Sequence, residues 1–181
     1  MTKAALIDHL KQHALRTDGP FTLRSGAVSS WYVDARQTTF DGVGARLVGE
    51  AVVAVLSPEV EAVGGMTMGA DPMAIAAAMV ATDSGRDLQA FSIRKEEKDH
   101  GTGGRLVGAV TAGTKVAILE DTTTTGGAAV EAAKVAIGEG LDVVQAIALI
   151  DRSAGAAAAN FEAIGVPHVA LTTTADLGVS E

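Results

Sequence analysis

Residues 116–128, VAILEDTTTTGGA, join two acidic side chains to four threonines and two glycines. The apolar start predicts a strand that ends at Glu120 and Asp121, and the turn that follows opens a helix. Backbone N–H groups at a helix start bind anions, and glycines let the backbone approach a ligand closely. Carboxylates accept hydrogen bonds from hydroxyls and also suit Mg²⁺. We therefore predict a site for a ligand with phosphate and hydroxyl groups. The alternative is a threonine-capped helix without a ligand.

A second candidate segment, RKEEKDHG at 94–101, is locally rich in positive charge. Arg94, Lys95, Lys98 and His100 stand within seven residues of a chain whose net charge is −8. A cluster of positive charge in a negatively charged chain suits a polyanionic ligand, although three acidic residues in the same segment also allow a solvated turn. The glycines that follow supply hinges, so we predict that 95–113 forms a functional loop able to close over a ligand.

Two further segments carry candidate binding residues. Asp151 and Arg152 follow the longest apolar run, and ligands gather at the carboxyl ends of strands in open parallel sheets. A guanidinium there can hold a planar carboxylate with two hydrogen bonds. The segment 21–34, FTLRSGAVSSWYVD, reads as a hairpin or two short strands, and we interpret Trp31 as a packing residue. His9, His13 and His168 lie apart without metal-site spacing, and we interpret them as surface or packing residues.

Composition excludes several classes of protein. A net charge of −8 argues against general nucleic-acid binding, and the lack of cysteine excludes disulfides, thiolate metal sites and cysteine nucleophiles. No apolar run reaches the roughly 20 residues that span a bilayer, and the charged N-terminus lacks the apolar stretch of a signal peptide. A length of 181 residues favours one domain. We expect a soluble cytoplasmic protein that binds neither membrane nor nucleic acid.

Strands alternate with helices along most of the chain, which predicts an α/β fold with a parallel sheet covered on both faces. The predicted helices are 2–16, 38–57, 70–84, 124–138 and 153–164. The predicted strands of the sheet are 59–65, 88–93, 115–120, 142–150 and 166–171.

The motifs resemble those of a known family. The order apolar strand, Glu-Asp, threonine-rich turn, glycine, helix is similar to the phosphoribosyl diphosphate motif of the type I phosphoribosyltransferases. RKEEKDHG closely resembles the flexible catalytic loop of the orotate phosphoribosyltransferases, and FTLRSG followed by Ser, Trp31 and Tyr32 resembles their N-terminal segment. The resemblance covers Phe21 to about Leu177. It implies a single domain over 1–181, with a parallel sheet of about five strands in a core at about 37–170. A small hood would form from about 1–36 and the C-terminal end.

The same resemblance implies an activity. The chain would be a pentosyltransferase that joins orotate to 5-phosphoribosyl 1-diphosphate. The products would be orotidine 5′-monophosphate and diphosphate, in de novo pyrimidine (UMP) synthesis. Mg²⁺ would be the cofactor, held by the diphosphate sugar and water near Glu120 and Asp121, with no direct protein ligand. The family also implies a homodimer whose mobile loop reaches the partner's site.

Residue roles follow from the resemblance position by position. The catalytic residues would be Lys98, Glu120 and Asp121. Tyr32, Val33, Thr124 and Arg152 would bind orotate, with Arg152 on its carboxylate. The diphosphate sugar would be bound by Arg24, Arg94, Lys95, Lys98, His100, Glu120, Asp121, Thr122, Thr123, Thr124, Thr125, Gly126, Gly127 and Ala128.

The chain departs from the family pattern at two positions. Val33 replaces an aromatic residue, and Thr67-Met68 replaces a Tyr-Lys pair in the turn that contacts the diphosphate, so backbone N–H groups would have to serve there. Two alternatives stay open. One is a phosphoribosyltransferase for a purine base or uracil, which FTLRSG and Asp151-Arg152 disfavour. The other is a regulatory protein that senses the diphosphate sugar without catalysis, which the negative charge and the intact loop motif disfavour.

Overall fold

The computed structural model describes residues 3–22, 26–97 and 104–180. The helices are α1 (Lys3–His13), α2 (Arg36–Thr39), α3 (Gly42–Val55), α4 (Ala70–Asp83), α5 (Gly127–Gly138), α6 (Ala156–Glu162) and α7 (Thr174–Leu177). The strands are β1 (Leu15–Arg16), β2 (Phe21–Thr22), β3 (Val28–Ser29), β4 (Tyr32–Val33), β5 (Ala62–Met66), β6 (Gln89–Ile93), β7 (Leu106–Gly108), β8 (Lys115–Thr123), β9 (Asp142–Asp151) and β10 (His168–Thr173).

A six-stranded sheet in the order β10-β9-β8-β5-β6-β7 forms the centre of the fold. The first five strands run parallel, which confirms the predicted parallel sheet of about five strands. The edge strand β7 pairs antiparallel with β6 and was not predicted, because it lies within the segment 95–113 that we expected to be a loop.

Helices cover both faces of this sheet. Along β8 the side chains alternate, so Ala117 and Leu119 pack in a cluster with α1, α3 and α4, whereas Val116 and Ile118 pack with α5 and α6. A strand buried on both faces needs apolar residues at every position, which explains its continuous apolar sequence. On β5, a Cβ atom at Gly65 would clash with the carbonyl oxygen of Leu119, so glycine lets β5 and β8 approach closely.

Element boundaries differ from the sequence predictions for local reasons. The predicted helix 38–57 is two helices, because the Asp41 carboxylate accepts hydrogen bonds from the N–H groups of Val43 and Gly44 and caps a new helix there. The helix predicted from Thr124 begins at Gly127, since Gly126 has a φ of +80°. The predicted helix 2–16 ends at His13 and continues as β1.

The N-terminal segments and the C-terminal end meet at one side of the fold. β1 pairs antiparallel with β4, and β2 pairs with β3 as a hairpin. The indole N–H of Trp31 donates a hydrogen bond to the Ser180 carbonyl oxygen at 3.1 Å, and Lys3 pairs with Asp176 at 3.1 Å. Among the helices of the described ranges, none has the length and apolar character needed to cross a membrane.

Candidate active site

A cleft of about 580 Å³ opens at the carboxyl ends of β5, β6, β8 and β9, where β4 faces the main sheet. It brings together residues from the N-terminal segment, the turn between β5 and α4, and the three strands beside it. Its lining residues are Tyr32, Val33, Asp34, Ala35, Arg36, Met66, Thr67, Met68, Gly69, Lys95, Glu120, Asp121, Thr122, Ala128 and Arg152. The cleft therefore unites all four segments that the sequence singled out.

The two acidic residues lie within β8, not after it, because the strand continues to Thr123. Successive side chains of a strand point to opposite faces, so the two carboxylates diverge. Asp121 lies against the β5–α4 turn, where a Cβ atom added to Gly69 would stand 2.7 Å from its carboxylate. Glu120 lies on the side of α5, beside Thr122 and Ala128. Two acids that are adjacent in sequence thus flank the cleft from different sides.

Burial shapes the electrostatics of this pair. Burial, reinforced by the neighbouring Asp121 charge and opposed by Lys95, raises the pKa of Glu120 to about 7. Burial also raises the pKa of Asp121, while the Thr122 N–H, which donates to its Oδ1 at 2.7 Å, acts in the opposite direction. A ligand that brings hydroxyl donors or a cation to these carboxylates would favour their charged forms.

A smaller hollow of about 190 Å³ adjoins the cleft at the start of α5 and is lined by Glu120 and 122–129. Gly126 takes the left-handed conformation that favours glycine, and a Cβ atom there would lie 3.1 Å from the Cα of Ala157. The N-cap residue of α5 is Gly126, which has no side chain to cap the helix, and the Thr125 Oγ1 accepts a hydrogen bond from the Gly127 N–H at 3.3 Å. Thr123 is buried, whereas Thr124, Thr125, Gly127 and Ala128 are exposed. The exposed part of this turn has the form of an anion cradle.

Arg152, just after β9, forms one wall of the cleft. Its backbone N–H donates to the Thr123 carbonyl oxygen at 2.8 Å, which ties the β9 end to the β8 end. Its guanidinium carbon lies 4.4 Å from the centroid of the Trp31 ring. Trp31 is buried, as the packing interpretation expected, and it also supports a residue of the cleft. Tyr32 and Val33 line the same wall, and the Tyr32 ring lies 6.0 Å from that of Phe21.

Sequence reasoning missed several cleft residues, of which the most notable are Asp34 and Arg36. Arg36 donates from Nε and Nη2 to the two carboxylate oxygens of Asp34, at 2.8 and 3.1 Å. The signal was a charged Asp-x-Arg directly after the aromatic segment, at the point where β4 ends. Gly69 was missed as well, because its role depends on a neighbour 52 positions along the chain, Asp121.

Not every predicted site residue lies in the cleft. Arg94 is half-buried and does not line the cleft, and its Nη1 donates to the Gly104 carbonyl oxygen at 3.4 Å. Thr124 lines the smaller hollow and not the cleft. Arg24, Lys98 and His100 lie outside the described residues, so their roles stay predictions. Thr67 donates to the Asp71 carboxylate at 2.7 Å, and the peptide bond between Thr67 and Met68 is cis.

The histidines take part in contacts away from the cleft. Contrary to the interpretation that they lie apart, His9 and His13 stack with ring centroids 4.2 Å apart, one helical turn from each other. His9 also contacts Asp41 at 3.0 Å, and His168 stacks on Phe161 at 5.3 Å. Within the described ranges, no group of three or more His, Asp or Glu side chains is placed to hold a metal ion.

Comparison with known proteins gives a consistent result. No family model matches the sequence. The chain is 40% identical to the orotate phosphoribosyltransferase of Rhodopirellula baltica over 97% of this chain and 94% of that protein. The crystal structure of the Mycobacterium tuberculosis H37Rv orotate phosphoribosyltransferase with Fe(III) dicitrate superposes with a TM-score of 0.84 at 33% identity, covering 98% and 99% of the two chains. The complex of that enzyme with 5-phospho-alpha-D-ribosyl 1-diphosphate superposes with a TM-score of 0.80 at 32% identity, covering 98% and 99%.

Proposed function

The chain belongs to the orotate phosphoribosyltransferase family, and we propose that its cleft transfers the 5-phosphoribosyl group of 5-phosphoribosyl 1-diphosphate to orotate. The products are orotidine 5′-monophosphate and diphosphate, a step of UMP synthesis. One observation carries this proposal: a carboxylate pair, an anion cradle and an arginine on an aromatic ring line two adjoining spaces.

Each part of the sugar has a chemically matched position. The cradle at the start of α5 takes the 5′-phosphate, because the backbone N–H groups and the partial positive charge at a helix start favour an anion. Glu120 and Asp121 accept hydrogen bonds from the ribose hydroxyls, which lie between the cradle and the β5–α4 turn. The guanidinium group of Arg152 binds the carboxylate of orotate, beside Tyr32. This arrangement would bring the reacting ring nitrogen of orotate next to ribose C1.

The chemistry then depends mostly on positioning and charge. Breaking the bond between ribose C1 and the diphosphate oxygen leaves positive charge on the ring and negative charge on the leaving group. Interactions that strengthen as this charge develops lower the barrier. Lys95 lines the cleft, and the resemblance adds Lys98, Arg94, Arg24 and His100 as further cations. The orotate nitrogen loses its N–H proton to water or to the departing diphosphate as it bonds to ribose C1, so the step needs no dedicated protein base.

The residues present fit a Mg²⁺ ion that arrives with the substrate. Glu120 and Asp121 offer the hard oxygen atoms that Mg²⁺ prefers. They are only two, and the described residues include no third acidic or histidine group to complete a site. Substrate oxygens and water would therefore supply the direct ligands, with Glu120 and Asp121 close by. When bound, the ion supplies charge neutralisation for the diphosphate.

We also propose a homodimer with a shared site. α3 and α4 pack against each other and expose large apolar side chains at Val43, Ile75 and Met79, and Phe40, just before α3, is exposed as well. Exposed apolar side chains grouped in this way favour association with another surface. A second copy of the chain would cover them, and its 95–113 loop would reach the neighbouring cleft. The N-terminal strands and the C-terminal end form the hood, and the cytoplasm is the compartment.

One assay tests the function against the two alternatives. Purified protein with Mg²⁺ and 5-phosphoribosyl 1-diphosphate is offered orotate, uracil, adenine and hypoxanthine in parallel. We expect release of diphosphate with orotate alone. Consumption of another base with orotate untouched would contradict the assignment. Binding of the diphosphate sugar without turnover of any base would instead favour the sensor alternative.

A further inference from the structure

The β5–α4 turn lines the cleft beside the carboxylates but brings no positive side chain to it. Its lining residues are Thr67, Met68 and Gly69, and the Met68 side chain is exposed. A diphosphate that leaves from the sugar carries several negative charges, so this side of the cleft needs a cation from another element. Among the described residues that line the cleft, the cations are Arg36, Lys95 and Arg152.

Arg152 and Lys95 have other positions. Arg152 lies over Trp31, on the wall assigned to orotate, and Lys95 follows β6 at the opening of the 95–113 segment. Arg36 instead stands at the start of α2, on the side of Asp121. Burial raises the pKa of Asp121 and the positive charge of Arg36 partly opposes this, while the pKa of Arg36 is raised mainly by Asp34 and to a smaller extent by Asp121. Asp121 in turn lies against Gly69 of the turn.

Arg36 is held in a defined orientation. Two of its N–H donors go to Asp34, whose Oδ1 also accepts a hydrogen bond from the Arg36 backbone N–H at 3.1 Å. Its Nη1 donates to no described residue, about half of the side chain is exposed, and the residue lines the cleft. A guanidinium fixed on one edge by a carboxylate presents its other edge to an anion with little loss of side-chain entropy.

We propose that Arg36 contacts the diphosphate of 5-phosphoribosyl 1-diphosphate and so supplies the cation that the β5–α4 turn lacks, with Asp34 as its positioning residue. This inference rests on the proposed function of the cleft. The proposal also explains why an acidic residue, Asp34, lines a site for a polyanion. Arg36 neutralises the charge of Asp34, and the hydrogen bonds between them orient the guanidinium group of Arg36.

The first experiment measures binding of inorganic diphosphate by calorimetry, with no turnover needed. Arg36→Ala should weaken it on the order of 10- to 100-fold, as expected for loss of a charged hydrogen bond. Arg16→Ala is the matched control, because Arg16 forms the same two-bond pair with Asp18 at 3.1 and 2.8 Å but lies outside the cleft. It should bind diphosphate like the wild type. Equal affinities for all three proteins would overturn the proposal.

A rescue experiment makes the test specific. Met68→Lys places a cation in the β5–α4 turn, so in the Arg36→Ala background it should restore most of the lost affinity for diphosphate and the KM for the diphosphate sugar. Asp34→Asn should raise that KM less than Arg36→Ala does, with the KM for orotate unchanged in both. A rise confined to the KM for orotate would assign Arg36 to the other substrate and overturn the proposal.

Folding and function are checked independently. Circular dichroism and thermal unfolding establish that each variant is folded, and Arg36→Gln replaces any Arg36→Ala protein that is not. If wild-type protein turns over no base, the proposed function fails. The calorimetric comparison of Arg36→Ala with Arg16→Ala still decides whether Arg36 binds diphosphate.

Discussion

The guanidinium of Arg152 stacks on the ring of Trp31, with 4.4 Å between its central carbon and the ring centroid. Trp31 is buried and donates to the Ser180 carbonyl oxygen, so a residue near the end of the chain fixes the ring that supports a cleft residue. A guanidinium stacked on a ring can bind a carboxylate in its own plane, which is the geometry that two parallel hydrogen bonds require.

Substitution of Arg152 should affect one substrate selectively. Arg152→Ala should raise the KM for orotate on the order of 10- to 100-fold, since a lost charged contact costs about 1.5–3 kcal/mol. The KM for the diphosphate sugar should change much less. Steady-state kinetics with each substrate varied in turn provides the measurement. Equal effects on both KM values would show that the guanidinium does not hold the orotate carboxylate.

Trp31 offers a test of the stacking itself. Trp31→Phe keeps an aromatic face under Arg152, whereas Trp31→Leu removes it, and both lose the hydrogen bond to Ser180. A cation–π contact at a partly exposed site contributes about 0.5–1 kcal/mol, so only Trp31→Leu should raise the KM for orotate, by about 2- to 5-fold. Both variants should lose stability. A similar KM in the two would assign the ring to packing alone.

Gly69 tests whether the position of Asp121 matters. Its φ of −62° suits alanine, so Gly69→Ala acts only through the added methyl group, which would meet the Asp121 carboxylate at 2.7 Å. We expect a lower kcat/KM for the diphosphate sugar, by about 10-fold or more, because displaced groups align poorly. Gly138→Ala, with no atom within 4 Å of the new methyl, is the control and should leave the kinetics unchanged.

The pKa of Glu120 predicts how stability depends on pH in ligand-free protein without Mg²⁺. A carboxyl group whose folded-state pKa is raised, here from 4.5 to about 7, stabilises the fold at low pH, and this contribution is lost as pH rises toward 7. The free energy of unfolding of the wild type should therefore fall relative to Glu120→Gln between pH 4.5 and pH 7, by at most about 3 kcal/mol. Thermal unfolding of both proteins across this range provides the measurement. Parallel curves would contradict the raised pKa.

Lys98 lies outside the described residues, and its predicted role in the 95–113 segment can be tested by mutation. Lys98→Ala should lower kcat on the order of 10²–10³-fold, by analogy with the loss of one oxyanion donor, with little change in KM. If the loop reaches the partner's site, a heterodimer of Lys98→Ala and Asp121→Asn should recover one intact site. A mixed dimer as inactive as both parents, with each variant folded and dimeric, would place the loop over its own subunit.

Sequence patterns alone were enough for the parallel sheet and for the edge of the sheet at which the cleft opens. Strands buried on both faces are continuous apolar runs, and residues at their carboxyl ends meet at one edge of a sheet, so Glu120, Asp121 and Arg152 could be placed together without coordinates. Local backbone chemistry was harder to predict. β8 continues through two threonines that suggested a turn, and Asp41 divides one predicted helix into two.

The relationships across distant segments came only from the tertiary structure. Stacking of Arg152 on Trp31, contact of Gly69 with Asp121, and the place of Arg36 in the cleft each join residues whose separation along the chain is unrelated to their distance in space. Periodicity reports which face of an element is buried, but not which side chain of another element lies opposite it. That choice depends on the packing of whole layers, where glycines such as Gly65 and Gly69 decide how closely the backbones approach.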